Sequence, residues 1–371
     1  MAPSATEAAA QVLENVEEKV ALATEKPSAA VGTTALEGEP KLETNHKQPL
    51  KPSGILDQYK HFEVTPVIGR EFVDVDLAEW LRAPNSDELI RELAITISRR
   101  GVVFFRKQDN ITNELQKELV QRLGQLSGKP ESSTLHIHPV ANSGRDHGGK
   151  DDEISTQSQR KQWHSDITFE PIPSDYALLR LTQLPKTGGD TLWASGYELY
   201  DCISKPLQGF LNMLTGYYAQ PGFGEAAEKN GFKLFSGARG SPDNVGDVLE
   251  ATHPVIRTNP VTGWKSVFAV GSHVQKINGL TEEESRHFLD WFVQLIVGNH
   301  DVQVRNRWQN VNDLAIWDNR SVYHAATPDY VFEDGLGERS GSRAVSVGEK
   351  PYFDPSSVSR RQGLAQELSQ A

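Results

Sequence analysis

Cysteine is nearly missing from this 371-residue chain, Cys202 being the only one. An internal disulfide is excluded, and so is a thiolate cluster for zinc or iron–sulfur. A bound metal would have to sit on histidine and carboxylate. No apolar run reaches the length of about 18 residues that a membrane-spanning helix needs, so no membrane partner is expected. Positive charge is in the minority: 38 Lys and Arg stand against 50 Asp and Glu, for a net charge of −12. That balance argues against nucleic acid as a partner, because binding a phosphate backbone needs a cationic footprint. A small anionic substrate stays compatible, since a pocket can be locally positive inside an acidic protein. The first 25 residues have neither the apolar stretch of a secretory signal nor the Arg-rich, acid-poor character of a mitochondrial presequence. A cytoplasmic location is the resulting expectation, and a homo-oligomer remains open.

Large apolar side chains are also scarce at the two ends, and the hydrophobic fraction of 37% is low for a wholly globular chain. Residues 1–55 are rich in Ala, Glu, Lys, Pro, Thr and Ser and are expected to form a disordered tail, with a weak helical period over Ala9–Ala23. Residues 358–371 are expected to be a flexible C-terminal tail. The catalytic domain is then 56–357.

Within it, Asn85 and Glu88 suggest a helix start, followed by Leu89, Leu93 and Ile97 at helical spacing. Gly101–Phe105 reads as a buried strand. A second helix carries Leu115, Leu119, Leu123 and Leu126. Thr281 and Glu284 form a capping box ahead of Phe288, Phe292 and Leu295. Short apolar runs at Ala177–Leu181, Val255–Ile256, Val267–Val270, Val302–Val304 and Leu314–Trp317 read as strands. Many short strands with few helices predict a mainly β protein, a sandwich or jelly roll with helices packed outside. A doubly wound nucleotide fold is excluded, because strands and helices do not alternate and no G-x-G-x-x-G follows a strand.

His164 and Asp166 are two residues apart, so on an extended segment both side chains leave from one face. A His-x-Asp triplet is weak evidence alone, roughly one being expected by chance in such a composition. His136 and His138 form a competing pair. The order His164-x-Asp166, a long gap, His324, a short gap, then Arg339 and Arg343 is more informative. It offers a 2-His-1-carboxylate face with three open positions on an octahedral metal. Its arginines supply guanidinium forks for carboxylates or other anions.

In these blocks the sequence resembles the Fe(II)/2-oxoglutarate dioxygenases of the taurine dioxygenase (TauD/TfdA) type, including the sulfonate dioxygenases of fungi. The matching blocks are Leu135–Pro139, Trp163–Phe169, Leu184–Trp193, His253–Thr258, Ile316–Arg320 and Ser342–Ala344, within a similarity running from about Phe62 to about Phe353. The resemblance implies a double-stranded β-helix (jelly roll) and Fe(II) held by His164, Asp166 and His324. It implies O2 and 2-oxoglutarate as cosubstrates, the distal carboxylate on Thr191 and Arg339. It also implies an organosulfonate substrate held by His138, Arg343 and the Ile167 N–H, hydroxylated next to sulfur and released as sulfite and an aldehyde. An alkyl sulfate, an aryloxyalkanoate or a biosynthetic intermediate would suit the same chemistry. A binding-only relative and a zinc hydrolase are disfavoured. The chain departs from taurine-preferring members at Ala141, Arg160 and His273, where a Tyr, an Asn and a Phe are usual. That departure suggests two extra cations near the substrate.

Overall fold

The run Val102–Phe105 contains no polar residue because both of its faces are covered. Val103 and Phe105 pack into a cluster with three helices, whereas Val102 and Phe104 face the opposite way into a second cluster. The same alternation recurs on the neighbouring strands: Tyr176, Leu178, Leu314 and Ile316 join the helices, and Ala177, Leu181, Ala315 and Trp317 the other side. Period-two side-chain direction combined with cover on both faces gives an apolar run with no visible alternation.

The computed structural model describes residues 48–140 and 162–370, which belong to one compact unit, His46–Ala371. Ala9–Ala23, Ala141 and Arg160 lie outside the described residues. In chain order the strands are β1 (His61–Glu63), β2 (Arg70–Phe72), β3 (Val102–Phe105), β4 (Ser174–Gln183), β5 (Thr191–Ser195), β6 (Thr215–Ala219), β7 (Glu250–Pro254), β8 (Ile256–Thr258), β9 (Lys265–Val267), β10 (Val274–Ile277), β11 (Gln303–Asn306), β12 (Leu314–Asp318), β13 (Val322–Ala326) and β14 (Ser340–Val347). The large sheet has the order β1-β2-β3-β12-β4-β14, and a smaller sheet has the order β11-β5-β13. Trp193, Val304 and Val322 from the smaller sheet meet Val102, Phe104, Ala177, Ala315 and Trp317 from the larger one. This is the core of the predicted jelly roll. β6, β7 and β10 form a third sheet, whose Tyr218, Val274 and Ile277 share a cluster with Leu289, Phe292 and Val293 of the Glu282–Gly298 helix.

The helix predicted after Asn85 runs Ser86–Arg100 and stops at Gly101, whose φ of 76° lets the chain turn at once into β3. The capping box also forms, with Thr281 Oγ1 accepting from the Glu284 N–H and the Glu284 carboxylate accepting from the Thr281 N–H at 2.9 Å. The strand expected over Val267–Val270 does not form there: β9 spans Lys265–Val267, and Phe268–Val270 lie beyond it outside any strand. Helices Gly196–Cys202, Lys205–Leu211 and Pro221–Asn230 were not anticipated.

Both tail boundaries need correction. Residues 48–55 are tied to the body, with the Leu50 N–H donating to Val261 O at 2.8 Å and the Ser53 and Gly54 N–H groups to the Glu92 carboxylate at 2.7 and 3.2 Å. The segment from Val358, expected as a flexible tail, contains a helix over Arg360–Gln370. Arg360 pairs with Glu198 at 3.2 Å, Glu367 with Arg99 at 2.7 Å, and Gly363 lies flat on Trp264 with no room for a Cβ. Ion pairs and one close backbone approach hold this helix, so it has no apolar stripe to betray it.

Gly101 gives the first prediction. A Cβ there would lie 2.7 Å from Val322 Cγ1, on a backbone conformation that L side chains rarely adopt. Gly101→Ala should cost about 1–3 kcal/mol, read as a lower urea midpoint with an unchanged slope.

Candidate active site

The segment after Gln162 pairs briefly with β13. His164 and His324 face each other across this antiparallel bridge and exchange both backbone hydrogen bonds, at 3.1 and 2.8 Å. Directly opposed residues project to the same side of a sheet, which brings the two imidazoles to a centroid separation of 4.3 Å. Asp166, two residues on, projects the same way. Its N–H donates to Asn319 Oδ1 at 3.1 Å, and Ser165 Oγ donates to Val322 O at 2.7 Å. At Ile167 the backbone reverses through a φ of 48°.

His164, Asp166 and His324 can therefore each offer one ligand atom, all within 4.8 Å of one another. His164 Nδ1 lies 2.9 Å from Gln162 O, so the tautomer that donates there leaves Nε2 with its lone pair. His324 Nε2 is 3.9 Å from Asp166 Oδ1. Burial, and after it the neighbouring His164, lowers the His324 pKa to about 3, so this imidazole is neutral. Burial alone would raise the Asp166 carboxyl, but the Arg343 guanidinium and the histidines outweigh it and hold the group well below the usual carboxylate range. Arg343 Nη1 donates to Asp166 Oδ1 at 2.7 Å, while the buried Oδ2 has no hydrogen-bond partner among the described residues. Two imidazoles and an ionised carboxylate with an unclaimed oxygen fit a 2-His-1-carboxylate metal face. His136 belongs elsewhere: its Nε2 lies 3.5 Å from Glu170, not from Asp166.

Thr191 and Arg339 meet as well. β5 pairs with β13 so that Trp193 opposes His324 and Thr191 opposes Ala326, placing Thr191 on the His324 face two residues along. Arg339 donates through Nε to Gly189 O at 2.9 Å and through Nη2 to Thr191 Oγ1 at 3.1 Å. The positive φ values of Gly188 and Gly189 shape the turn that presents this carbonyl. A further donor was not anticipated: Trp308 Nε1, also 3.1 Å from Thr191 Oγ1.

On the other side an arc of rings leads away from His164. His273 is 6.2 Å from it between centroids, Phe169 is 5.0 Å from His273, Phe223 is 5.9 Å from Phe169, and His138 is 5.1 Å from Phe223. His138 thus lies at the far end of the wall that begins at the metal-type cluster. The suggestion that His273 adds a cation is corrected, because burial and the adjacent His164 lower its pKa to about 4. Its Nδ1 is instead 3.0 Å from Thr168 Oγ1.

Behind this wall, Arg239 forms a two-pronged bond to Glu170, Nε to Oε1 at 2.5 Å and Nη2 to Oε2 at 2.9 Å, both residues being fully buried. His253 Nε2 reaches the carbonyls of Thr168 and Glu170 at 3.0 and 3.1 Å. Below Asp166, Asn319 Oδ1 also accepts from Trp317 Nε1 at 3.0 Å, and its amide donates to Ser174 Oγ at 2.9 Å. The sequence carried no signal for the Glu170–Arg239 pair, whose members are 69 residues apart.

A family model described as taurine catabolism dioxygenase TauD, TfdA family, matches residues 60–345. The alpha-ketoglutarate-dependent dioxygenase btcD of Neocamarosporium betae is 54% identical over 348 residues, covering 85% of this chain and 98% of that protein. An alpha-ketoglutarate-dependent sulfonate dioxygenase of Saccharomyces cerevisiae is 30% identical over 315 residues, covering 81% of this chain and 69% of that protein. The crystal structure of a taurine dioxygenase from Burkholderia xenovorans shares the fold, with a TM-score of 0.60 and 24% identity over 80% of this chain and 93% of that one.

The buried pair gives the second prediction. Glu170→Ala strands the Arg239 charge and should cost about 3–5 kcal/mol in urea unfolding, whereas the double variant Glu170→Leu/Arg239→Met should cost much less than the sum of its single changes.

Proposed function

The chain belongs to the taurine catabolism dioxygenase TauD, TfdA family, and on that premise we propose that it hydroxylates a small organosulfonate at the carbon next to sulfur. It is an alpha-ketoglutarate-dependent dioxygenase, with Fe(II) as its metal and 2-oxoglutarate and O2 as cosubstrates. In this reading His164, Asp166 and His324 hold the iron, and Thr191 with Arg339 holds the distal carboxylate of 2-oxoglutarate. His138, Arg343 and the Ile167 N–H hold the sulfonate. Bound there, the metal with its cosubstrates supplies an oxidation coupled to decarboxylation, yielding succinate, CO2 and a hydroxylated sulfonate that breaks down to sulfite and an aldehyde.

The observation that carries this reading is the position of Arg343. One of its five N–H donors is on Asp166, and its side chain is 41% exposed, so further donors of the same guanidinium are available to an anion beside the cluster. An anion held on them would sit next to the metal ligands, with its neighbouring carbon toward the metal. The Ile167 N–H, turned out by the positive φ, has no hydrogen-bond partner among the described residues. Relatives divide on the substrate: the yeast protein is named for sulfonates, whereas the 54% identical protein is named only for its cosubstrate. A different anion oxidised by the same chemistry is therefore the second reading.

Two predictions follow the assignment. His164→Ala, Asp166→Ala and His324→Ala should each lose Fe(II) binding and substrate-dependent succinate formation, while His136→Ala should retain the metal. Retained binding in Asp166→Ala would remove the triad.

The second concerns charge. Glu170 is matched by Arg239 and Asp166 by Arg343, so neither carboxylate is left for a substrate ammonium, and burying an unpaired charge costs several kcal/mol. In a panel scored by substrate-coupled succinate, isethionate and longer alkanesulfonates should show a higher kcat/KM than taurine. Turnover of carboxylates or sulfates with none of sulfonates would favour the second reading.

A further inference from the structure

Thr191 Oγ1 accepts from two donors, Trp308 Nε1 and Arg339 Nη2, each at 3.1 Å. A hydroxyl carries two lone pairs and one proton. With both lone pairs engaged, the proton must be given away, and no acceptor for it is present among the described residues. Arg339 Nη1 is likewise without a hydrogen-bond partner among them. The pair thus presents donors only, which suits an acceptor-only group such as a carboxylate. Trp308 lies two residues beyond Asn306, the β11 partner of Thr191, and is buried against Trp193 at a centroid separation of 6.5 Å. Its indole N–H is therefore fixed by packing.

We propose that Trp308 is a positioning residue for 2-oxoglutarate: its N–H occupies one lone pair of Thr191 and turns the hydroxyl into a preorganised donor for the distal carboxylate. This rests on the assignment of Thr191 and Arg339 to that carboxylate. Without the indole N–H, the hydroxyl can rotate its proton away, and part of that orientation must be recovered when the ligand binds.

The test is calorimetric titration of the Fe(II)-loaded protein without O2, using 2-oxoglutarate and, separately, 2-oxopentanoate, which lacks the distal carboxylate. Trp308→Phe keeps a ring and removes the N–H. It should weaken 2-oxoglutarate about three- to tenfold, the range of one net hydrogen bond, and leave 2-oxopentanoate unchanged. In a Thr191→Val background it should add no further loss for 2-oxoglutarate. If the smaller ring disturbs folding, benzothienylalanine in place of Trp308 keeps the bicyclic shape without the N–H and should give the same selective loss. Equal weakening of both ligands, or a full additional loss in the Thr191→Val background, would mean that Trp308 acts through packing and would overturn the proposal. If Thr191→Val by itself left 2-oxoglutarate binding intact, the carboxylate assignment would fall too. Loss in Thr191→Val with none in Trp308→Phe would overturn the role of Trp308 alone.

Discussion

Two backbone hydrogen bonds between His164 and His324 hold the site together. Their side chains come from segments 160 residues apart, and neither segment alone places its imidazole to better than a rotamer choice. The antiparallel bridge removes that freedom, because opposed residues in a ladder must project together. Once it closes, Asp166 follows from strand periodicity, and the turn at Ile167 takes the chain away before a fourth side chain can crowd the face. A ladder bond is a backbone property, so the arrangement tolerates changes in the flanking side chains. It does not tolerate a shift of one residue in register, which would turn Ser165 toward the site in place of its neighbours.

Two buried polar networks flank that bridge. On the near side Asn319 holds the Asp166 N–H, and Asp318 next to it is clasped by Arg320 at 2.7 Å and by Ser98 at 2.7 Å. On the far side Glu170 is held by Arg239, with His253 on the carbonyls of Thr168 and Glu170. Buried ion pairs of this kind are weak evidence for stability, because desolvation consumes much of their attraction. Their geometry is more telling: both networks end on the backbone of 166–170, where an error of an ångström would separate the ligand atoms.

Much of this was legible in the sequence, and for identifiable reasons. That His164, Asp166 and His324 would come together was suggested by their order along the chain with the two arginines and by the family resemblance, the His-x-Asp spacing alone being weak, and their ligand atoms do lie within 4.8 Å of one another. Val102–Phe105 and the helix after Asn85 were readable because apolar periodicity records which faces are buried. The Arg360–Gln370 helix was not, since ion pairs and Gly363 on Trp264 hold it without an apolar stripe. Trp308 was missed for a different reason: a buried tryptophan near a strand end reads as core, and its N–H matters only once the register of β11 with β5 brings it to Thr191. His273 was placed near the site correctly in sequence terms but given the wrong charge, because burial is a tertiary property.

The two sides of the site are built differently. The residues assigned to iron and 2-oxoglutarate sit on ladders or directly beside them: His324 on β13, His164 bridged to it, Thr191 on β5, and Arg339 immediately before β14. Substitution there disturbs the sandwich core, since Trp193 and Trp317 pack against the same strands. The ring arc toward His138 comes instead from segments outside the central sandwich: Phe169 in a turn, Phe223 on the Pro221–Asn230 helix, and His273 ahead of β10. Phe169 still packs with Ile167, Ile172, Leu249 and Val347 and is buried, as is His273, so this arc has a core of its own that is separate from the Trp193–Trp317 cluster. The residues proposed for the metal and 2-oxoglutarate thus rest on the central sandwich, and His138 and Ile167, proposed for the substrate, rest on a separate cluster beside it.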